Sequence, residues 1–367
     1  MNTYGLLSSS SSLSKSSKEN AFRSISKKSF NSKELPDAVS ELSKIIMHNA
    51  ICAQNQLKFC AQNGIKFYSI FNDLIPLLHD DSVPCSIKDL DNYELIIKEL
   101  KKVGVIARKF NIKISVELRK QAFLSGTETT IKKSLNLINL WSTIFDLFEL
   151  GQGLDSPIVV QVNNSVNEAE ELKLKNVVDK FFDSFENLPE SSKSRVCIAN
   201  EKEGCWNCGN LFKWLHLYCG GEYGKFFPLS YNNLNHKLNP SSVGGKEVSD
   251  KQNVQAYRHT WPEDNTPTFF WDEEPLDDSF STKIPSFGED VNWICCGEES
   301  DKHIFSMQGI VVKDDSLNLS SFDDLLSVEV EIDESEISEN EIDLAHQKIQ
   351  EALETKSGDG YNSIYGF

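Results

Sequence analysis

Between Thr3 and Met307 the chain alternates two hydrophobic periods, and that alternation constrains the fold more than any single motif. The clearest unit begins at Asp37. Val39, Leu42, Ile46, Ala50, Ala53, Leu57 and Cys60 recur at helical spacing up to a helix-ending Gly64. Residues 65–71 then form a short β-branched and aromatic run that stops at Asn72-Asp73, the pattern of a buried strand. The unit repeats along the chain. Residues 93–107 read as a helix and 112–116 as a strand, residues 131–150 as a long amphipathic helix and 157–162 as an apolar strand. Helices over 168–185 and 211–218 alternate with strands over 195–199 and 225–231. A Gly- and Ser-containing linker follows, then a helix near 248–257 and a strand over 267–271; residues 291–296 and then 302–307 complete the pattern. With residues 3–7 at the start, the reading is eight strands, the number that closes a TIM (β/α)8 barrel, although a doubly wound open sheet has the same rhythm.

Composition divides the chain. Residues 1–36 read as a short first strand plus a Ser-rich mobile loop, residues 37–320 as the body of the barrel, and residues 321–367 as an acidic disordered tail with a transient helix over 343–353. The net charge is −18, but it is unevenly placed. Residues 36–261 balance at 26 basic against 26 acidic side chains, whereas residues 323–367 hold thirteen acids against Lys348 and Lys356. Nucleic-acid binding draws most of its sequence-independent affinity from Lys and Arg on phosphates, so a neutral body with an acidic end argues against a nuclease unless a local basic face exists. No apolar run approaches the roughly 18 residues of a membrane span. Nine cysteines, an odd number scattered without a secretory signal, read as reduced thiols of an intracellular protein of the nucleus or cytoplasm. The Ser- and Lys-rich start also has the look of an organelle transit peptide, but Glu19 and Glu34 interrupt it.

The strand unit carries a resemblance. Gly64-Ile65-Lys66-Phe67-Tyr68 and Asp73-Leu74-Ile75-Pro76-Leu77 are similar to the second strand of the UV-damage endonuclease family, with Ser69-Ile70-Phe71-Asn72 replacing the family's Arg-Ile-Ser-Ser. Residues 111–115, Pro157-Ile158-Val159-Val160, Leu188-Pro189-Glu190-Ser191 and Asn233-Leu234-Asn235-His236-Lys237-Leu238-Asn239-Pro240 follow in the family's order, so the resemblance covers residues 37 to 310. It implies a TIM barrel. It also implies divalent metals held by His, Glu and Asp at the carboxyl ends of the strands, where they activate water against a phosphodiester beside a photoproduct.

The ligand positions that the resemblance marks are mostly altered. The family's His after Asp-Leu-Ile-Pro-Leu falls on His79, or on Asp80 with a shift of one residue. The next His falls on Glu117, a carboxylate that can still bind Mn or Mg. Further His and Glu ligands fall on Gln161 and Ala199; Glu201 stands two residues on, but moving to it would bury Asn200 in the strand. Ligands of the sixth strand become Asn232 and Asn235, with a second His retained as His236. The remaining positions are Phe270, Asp290 and Gln308. His79, Asp80, Glu117 and Asp290 are thus the donors left, no cofactor is expected, and Mn or Mg is the alternative. Tyr4 and Gln121 are the residues left for nucleic-acid contact.

The resulting expectation is a UV-damage endonuclease-like protein of DNA repair, impaired or inactive because metal ligands are lost. Its partners would be damaged duplex DNA, no membrane, and a protein partner reached through the acidic tail. An active metal-dependent endonuclease nicking beside UV photoproducts and a non-catalytic interaction protein are the alternatives. Cys205-Trp206-Asn207-Cys208 is a single Cys-x-x-Cys without a second pair, which reads as free thiols before zinc. Trp206, Trp261, Trp271 and Trp293 read as core residues before base-stacking platforms.

Overall fold

The computed structural model describes residues 3–10, 13, 20–118, 121–162, 171–272 and 290–296, together with 301, 304, 344 and 347–349. β1 (Thr3–Leu7) is followed by α1 (Lys27–Asn31), α2 (Leu35–Gln62), β2 (Phe67–Ile70), α3 (Tyr93–Lys109), β3 (Lys113–Glu117), α4 (Glu128–Leu147) and β4 (Ile158–Val160). Then come α5 (Glu171–Glu186), α6 (Glu190–Lys193), β5 (Val196–Ala199), α7 (Cys208–Leu211), a π-helical turn over Phe212–Tyr218, α8 (Cys219–Tyr223) and β6 (Leu229–Ser230). The described elements continue with α9 (Asn233–Leu238), β7 (Ser242–Val243), β8 (Lys246–Glu247), α10 (Asp250–Arg258), β9 (Thr268–Asp272) and β10 (Asn292–Cys296).

Eight strands pair side by side in the order β6-β5-β4-β3-β2-β1-β10-β9, each neighbour parallel. The two ends of this sheet meet. Phe270 N donates to Tyr231 O at 2.7 Å, and Asn232 bridges Phe270 in parallel, so the ring closes into a TIM barrel. An open sheet is thereby excluded.

Side chains alternate across a strand, so a closed sheet has an outside and a lumen. Tyr68, Ile114, Ile158, Val196, Phe269 and Trp293 belong to the large cluster shared with the helices. Phe67, Val159, Cys197, Ala199, Phe270 and Ile294 alternate with them and form a separate cluster that fills the lumen. Packing there leaves no room at Gly5, where a Cβ would lie 2.8 Å from both Ile294 Cδ1 and Phe67 Cβ. A barrel of this size is therefore plugged in its lower part.

The strands are shorter than their sequence signals. Ile65 belongs to the exit of α2, because its N–H donates to Cys60 O at 2.9 Å across Gly64, whose φ is 66°. Phe71 O accepts from Leu74 N at 3.1 Å and starts a turn, so β2 keeps only its four central residues. The expected strand over residues 225–231 reduces to Leu229–Ser230, and the eighth strand is β10. Of residues 302–307, which complete the expected strand and helix pattern, only Ile304 is described, and it is helical. Most of the acidic tail lies outside the described residues; Leu344 and residues 347–349 are helical, and Ile349 is buried in the outer core. The Ser-rich segment is anchored where it is described. Ser10 is fully buried, its Oγ donates to Asp301 Oδ2 at 2.6 Å and its N–H to Gln56 Oε1 at 2.8 Å.

The closest helix contact is set by Gly104 of α3. A Cβ at that position would lie 2.1 Å from Phe148 O, just past α4, so the helices touch only because the side chain is absent. Gly104→Ala is expected to destabilise the barrel by about 1–3 kcal/mol despite the better helix propensity of Ala, read as a lower urea midpoint with an unchanged slope.

Candidate functional site

The carboxyl ends of parallel strands open onto one mouth, and the lumen-facing residues there are polar. Ser69 and Ser115 are register partners on β2 and β3, and Glu117 follows two residues later at the end of β3, only 7% exposed. Gln161, just past β4, is buried and bridged to Phe123. Ser69 Oγ, Ser115 Oγ and Asn232 Nδ2 are buried with no hydrogen-bond partner among the described residues. Burial, reinforced by the charge of nearby Glu117, pushes the Cys197 thiol up, which keeps it protonated. Ala199 and Phe270 supply apolar surface to the same lumen.

Between β5 and β6 an amide network stitches the mouth. Asn200 Oδ1 accepts from Asn232 N at 2.7 Å, and Asn200 Nδ2 donates to Asn232 O at 3.0 Å, so one side chain satisfies both backbone groups of its neighbour. Asn235 Nδ2 donates back to Asn200 O at 2.7 Å. Asn232 Oδ1 caps α9 by accepting from Asn235 N at 2.9 Å. Asn233 Oδ1 accepts from Asp272 N at 2.6 Å and ties in β9. Buried backbone groups need partners, and these amides provide them with no net charge. Sequence reasoning set Glu201 aside because using it would bury Asn200, yet the structure buries both: Glu201 Oε1 accepts from Val162 N at 3.1 Å and joins β5 to β4.

Asp80 stands on the loop after β2, gripped by lysines from two helices. Lys133 Nζ of α4 lies 3.0 Å and Lys27 Nζ of α1 lies 3.5 Å from Asp80 Oδ2. Burial would raise its pKa, but hydrogen bonds from Ser82 and Lys133 and the Lys133 charge outweigh it and hold the carboxyl well below the usual range. Two ammonium groups therefore meet Asp80 Oδ2, and Ser82 holds Oδ1. His79 is half-buried; burial lowers its pKa against the opposing charges of Asp80 and Asp73, and its Nδ1 has no hydrogen-bond partner among the described residues.

The other expected site residues that are described do not converge on the mouth. Asp290 is exposed, and Gln308 lies outside the described residues. Gln121 is exposed in a turn, while Tyr4 packs against the outer core, where burial and then the Cys295 charge raise its pKa. His236 Nε2 donates to Val248 O at 2.8 Å and is committed to that carbonyl. Cys205 and Cys208 are buried free thiols, with Cys208 pushed up to about 12 by burial. All four tryptophans named above are buried.

The donor set does not fit a multi-metal centre. Among the described residues no three His, Cys, Asp or Glu side chains come together as metal donors. Asn232 and Asn235 have turned their amides toward the backbone, Ala199 and Phe270 carry no donor atom, and Asp80 is neutralised by lysine. Glu117 is the carboxylate among the expected ligands that stays buried at the end of β3.

Comparison with known proteins gives three findings. The family model of UV-endonuclease UvdE matches residues 2–265. A UV DNA damage endonuclease from Nostoc sp. is 25% identical over 183 residues, 49% of this chain, and the match spans only about half of that relative, 52% of its length. The crystal structure of SacUVDE superposes with a TM-score of 0.65 at 16% identity, covering 88% of this chain and 99% of that one. At that identity the superposition speaks for the fold alone.

Two outcomes are expected from this geometry. Asn200→Ala removes both partners of the Asn232 backbone and should cost about 2–3 kcal/mol in chemical denaturation, whereas EDTA should leave the melting temperature of the unsubstituted chain unchanged. The depressed Asp80 pKa stabilises the fold above the ordinary aspartate range of about 4 and loses that contribution as pH falls below it. Asp80→Asn should therefore destabilise the protein at neutral pH, by about 1–3 kcal/mol, and flatten the acid limb of its stability profile below about pH 4.

Proposed function

Because the chain belongs to the UV-endonuclease UvdE family, we propose that it is a UvdE-like protein of DNA repair that engages damaged duplex DNA without cleaving it. One observation carries this reading. At the expected ligand positions of β6, Asn232 and Asn235 hydrogen-bond to the backbone as neutral amides instead of converging on a cation, and Ala199 at the β5 position carries no donor atom. Phosphodiester hydrolysis needs positive charge on the transition state and a water of lowered pKa, and in metal-dependent nucleases the ions supply both. Lys27 and Lys133 are positive and near the mouth, but each is paired with Asp80, and an ammonium ion cannot lower the pKa of a water as a coordinated divalent ion does.

Glu117, Gln161 and Asn232 remain as a polar lining suited to hydrogen bonding with an uncharged group. The setting consistent with the composition is intracellular, in the nucleus or cytoplasm; no helix among the described residues is long and apolar enough to cross a membrane. The acidic tail, thirteen acids against two lysines, is the segment suited to a protein partner.

A nicking assay tests the reading. UV-irradiated duplex incubated with the full chain and Mn or Mg should stay intact while the chain retards it in a gel. Metal-dependent incision beside a photoproduct, abolished by Glu117→Ala, would overturn it in favour of an active endonuclease. Intact DNA with no retardation would leave a non-catalytic interaction protein.

A further inference from the structure

The hairpin between α9 and α10 has no role in the site described above. It occupies the connection after β6, on the side of the barrel where the strands end, and sequence reasoning took it for a linker. Ser242 pairs with Glu247 and Val243 with Lys246, and Gly244 and Gly245 form the turn with φ of 59° and 76°. Two successive residues at positive φ are the signature of a tight hairpin turn matched to strand twist. A Cβ built on either glycine meets nothing within 4 Å, so the tip stands clear of the described residues. All six residues from 242 to 247 are exposed, Val243 at 74%, and Leu238 at the end of α9 is 58% exposed.

The base of the hairpin, by contrast, is fixed. Val248 N donates to Ser241 O at 2.9 Å, and Ser241 is buried. His236 holds Val248 O, and its Nδ1 lies 3.4 Å from Asn253 Nδ2. His236 sits on the helix that Asn232 caps, so the hairpin is joined to the amide network of the mouth. A projection with an apolar tip and no partner among the described residues is a costly surface to leave in water.

Charge indicates the partner. Cross-strand partners share a face, so Val243 and Lys246 point the same way while Glu247 goes with Ser242 to the opposite face. Lys237, Lys246 and Lys251 are all exposed, and none has an ion-pair partner among the described residues, in a chain whose net charge is −18. Lys202, exposed just after β5, extends the set along the same rim. Free cations around an apolar tip fit a polyanion with stacked apolar faces between its charges.

We infer that the Ser242–Glu247 hairpin is a DNA-contacting element, with Lys237, Lys246 and Lys251 on phosphates and Val243 entering the groove against a distorted base step. It rests on the damaged-DNA reading proposed above and gives that reading a surface the acidic composition otherwise lacks. Apolar side chains wedged at a base step favour DNA that is already unstacked or bent, because less stacking must be broken. Lysines on phosphates act on any sequence.

The test is fluorescence anisotropy with the full-length chain and a short labelled duplex, UV-irradiated or undamaged, across a salt series. Val243→Ser should weaken binding to the irradiated duplex about tenfold, the loss of one buried apolar side chain, with a smaller effect on undamaged DNA. Lys246→Gln should weaken both duplexes alike and lower the slope of log affinity against log salt by about one. Because these side chains are exposed, melting temperatures should not change. If the unsubstituted chain binds and neither variant differs, the hairpin inference fails while the DNA reading stands. If the unsubstituted chain binds neither duplex, both fall. A synthetic peptide of residues 323–343 that binds the chain and is lost in Lys246→Gln, with DNA affinity untouched, would assign the hairpin to an acidic peptide and overturn the inference.

Discussion

Closure of the sheet between β6 and β9 is the constraint on which the rest of the structure depends. The bond from Phe270 N to Tyr231 O converts a twisted row of eight strands into a ring. Once the ring exists, every second side chain is committed to a lumen too narrow for anything but its own packing, and the strand ends are gathered at a single mouth. Phe270 illustrates the coupling, since its backbone closes the ring and its ring fills the lumen. A substitution toward His there would ask one residue to give up packing in order to gain a donor.

The mouth of this ring gathers polar side chains in a buried space. Carboxylates and imidazoles gathered in a buried space repel or lose solvation unless a cation compensates them. This chain has neutral amides at those positions, and each amide can donate and accept at once. Asn200 and Asn232 exchange two hydrogen bonds, Asn235 returns a third, and Asn233 reaches β9. The carboxylate that remains on the β2 loop meets two lysines instead of an ion. Charge on the β2 loop is balanced inside the protein, and the amides hold neighbouring loops together.

The same neutrality sets the terms for any polyanion. A body with equal numbers of acidic and basic residues attracts DNA only through a local arrangement, and the lysines around Asp80 are paired: Lys27 and Lys133 with Asp80, Lys132 with Asp81. The unpaired ones lie farther round the rim, beside β5, α9 and the hairpin. Electrostatics thus separates two sectors of the mouth, one self-neutralised around Asp80 and one open around Val243.

Sequence alone determined the strand and helix rhythm, because burial of a parallel sheet on both faces writes apolar β-branched runs between helical periods, and it determined which positions had lost donor atoms, because Ala199 and Phe270 cannot coordinate in any fold. Family membership was legible for the same reason: the unit ending in Asp73-Leu74-Ile75-Pro76-Leu77 is local. Strand ends were less legible, since Ile65 and Phe71 carry strand-like side chains but give their backbone to a helix exit and a turn. Only the tertiary structure decided that Asn200 and Glu201 are both buried, that Asp80 is held by lysines 53 residues away on either side, and that a Gly-Gly linker is a hairpin with a bare apolar tip. The burial of Asn200 and Glu201 and the grip on Asp80 depend on pairs of groups distant in sequence, which meet only once ring closure has brought the loops of different strands to one rim, whereas the hairpin pairs near neighbours and only its exposure was decided by the fold.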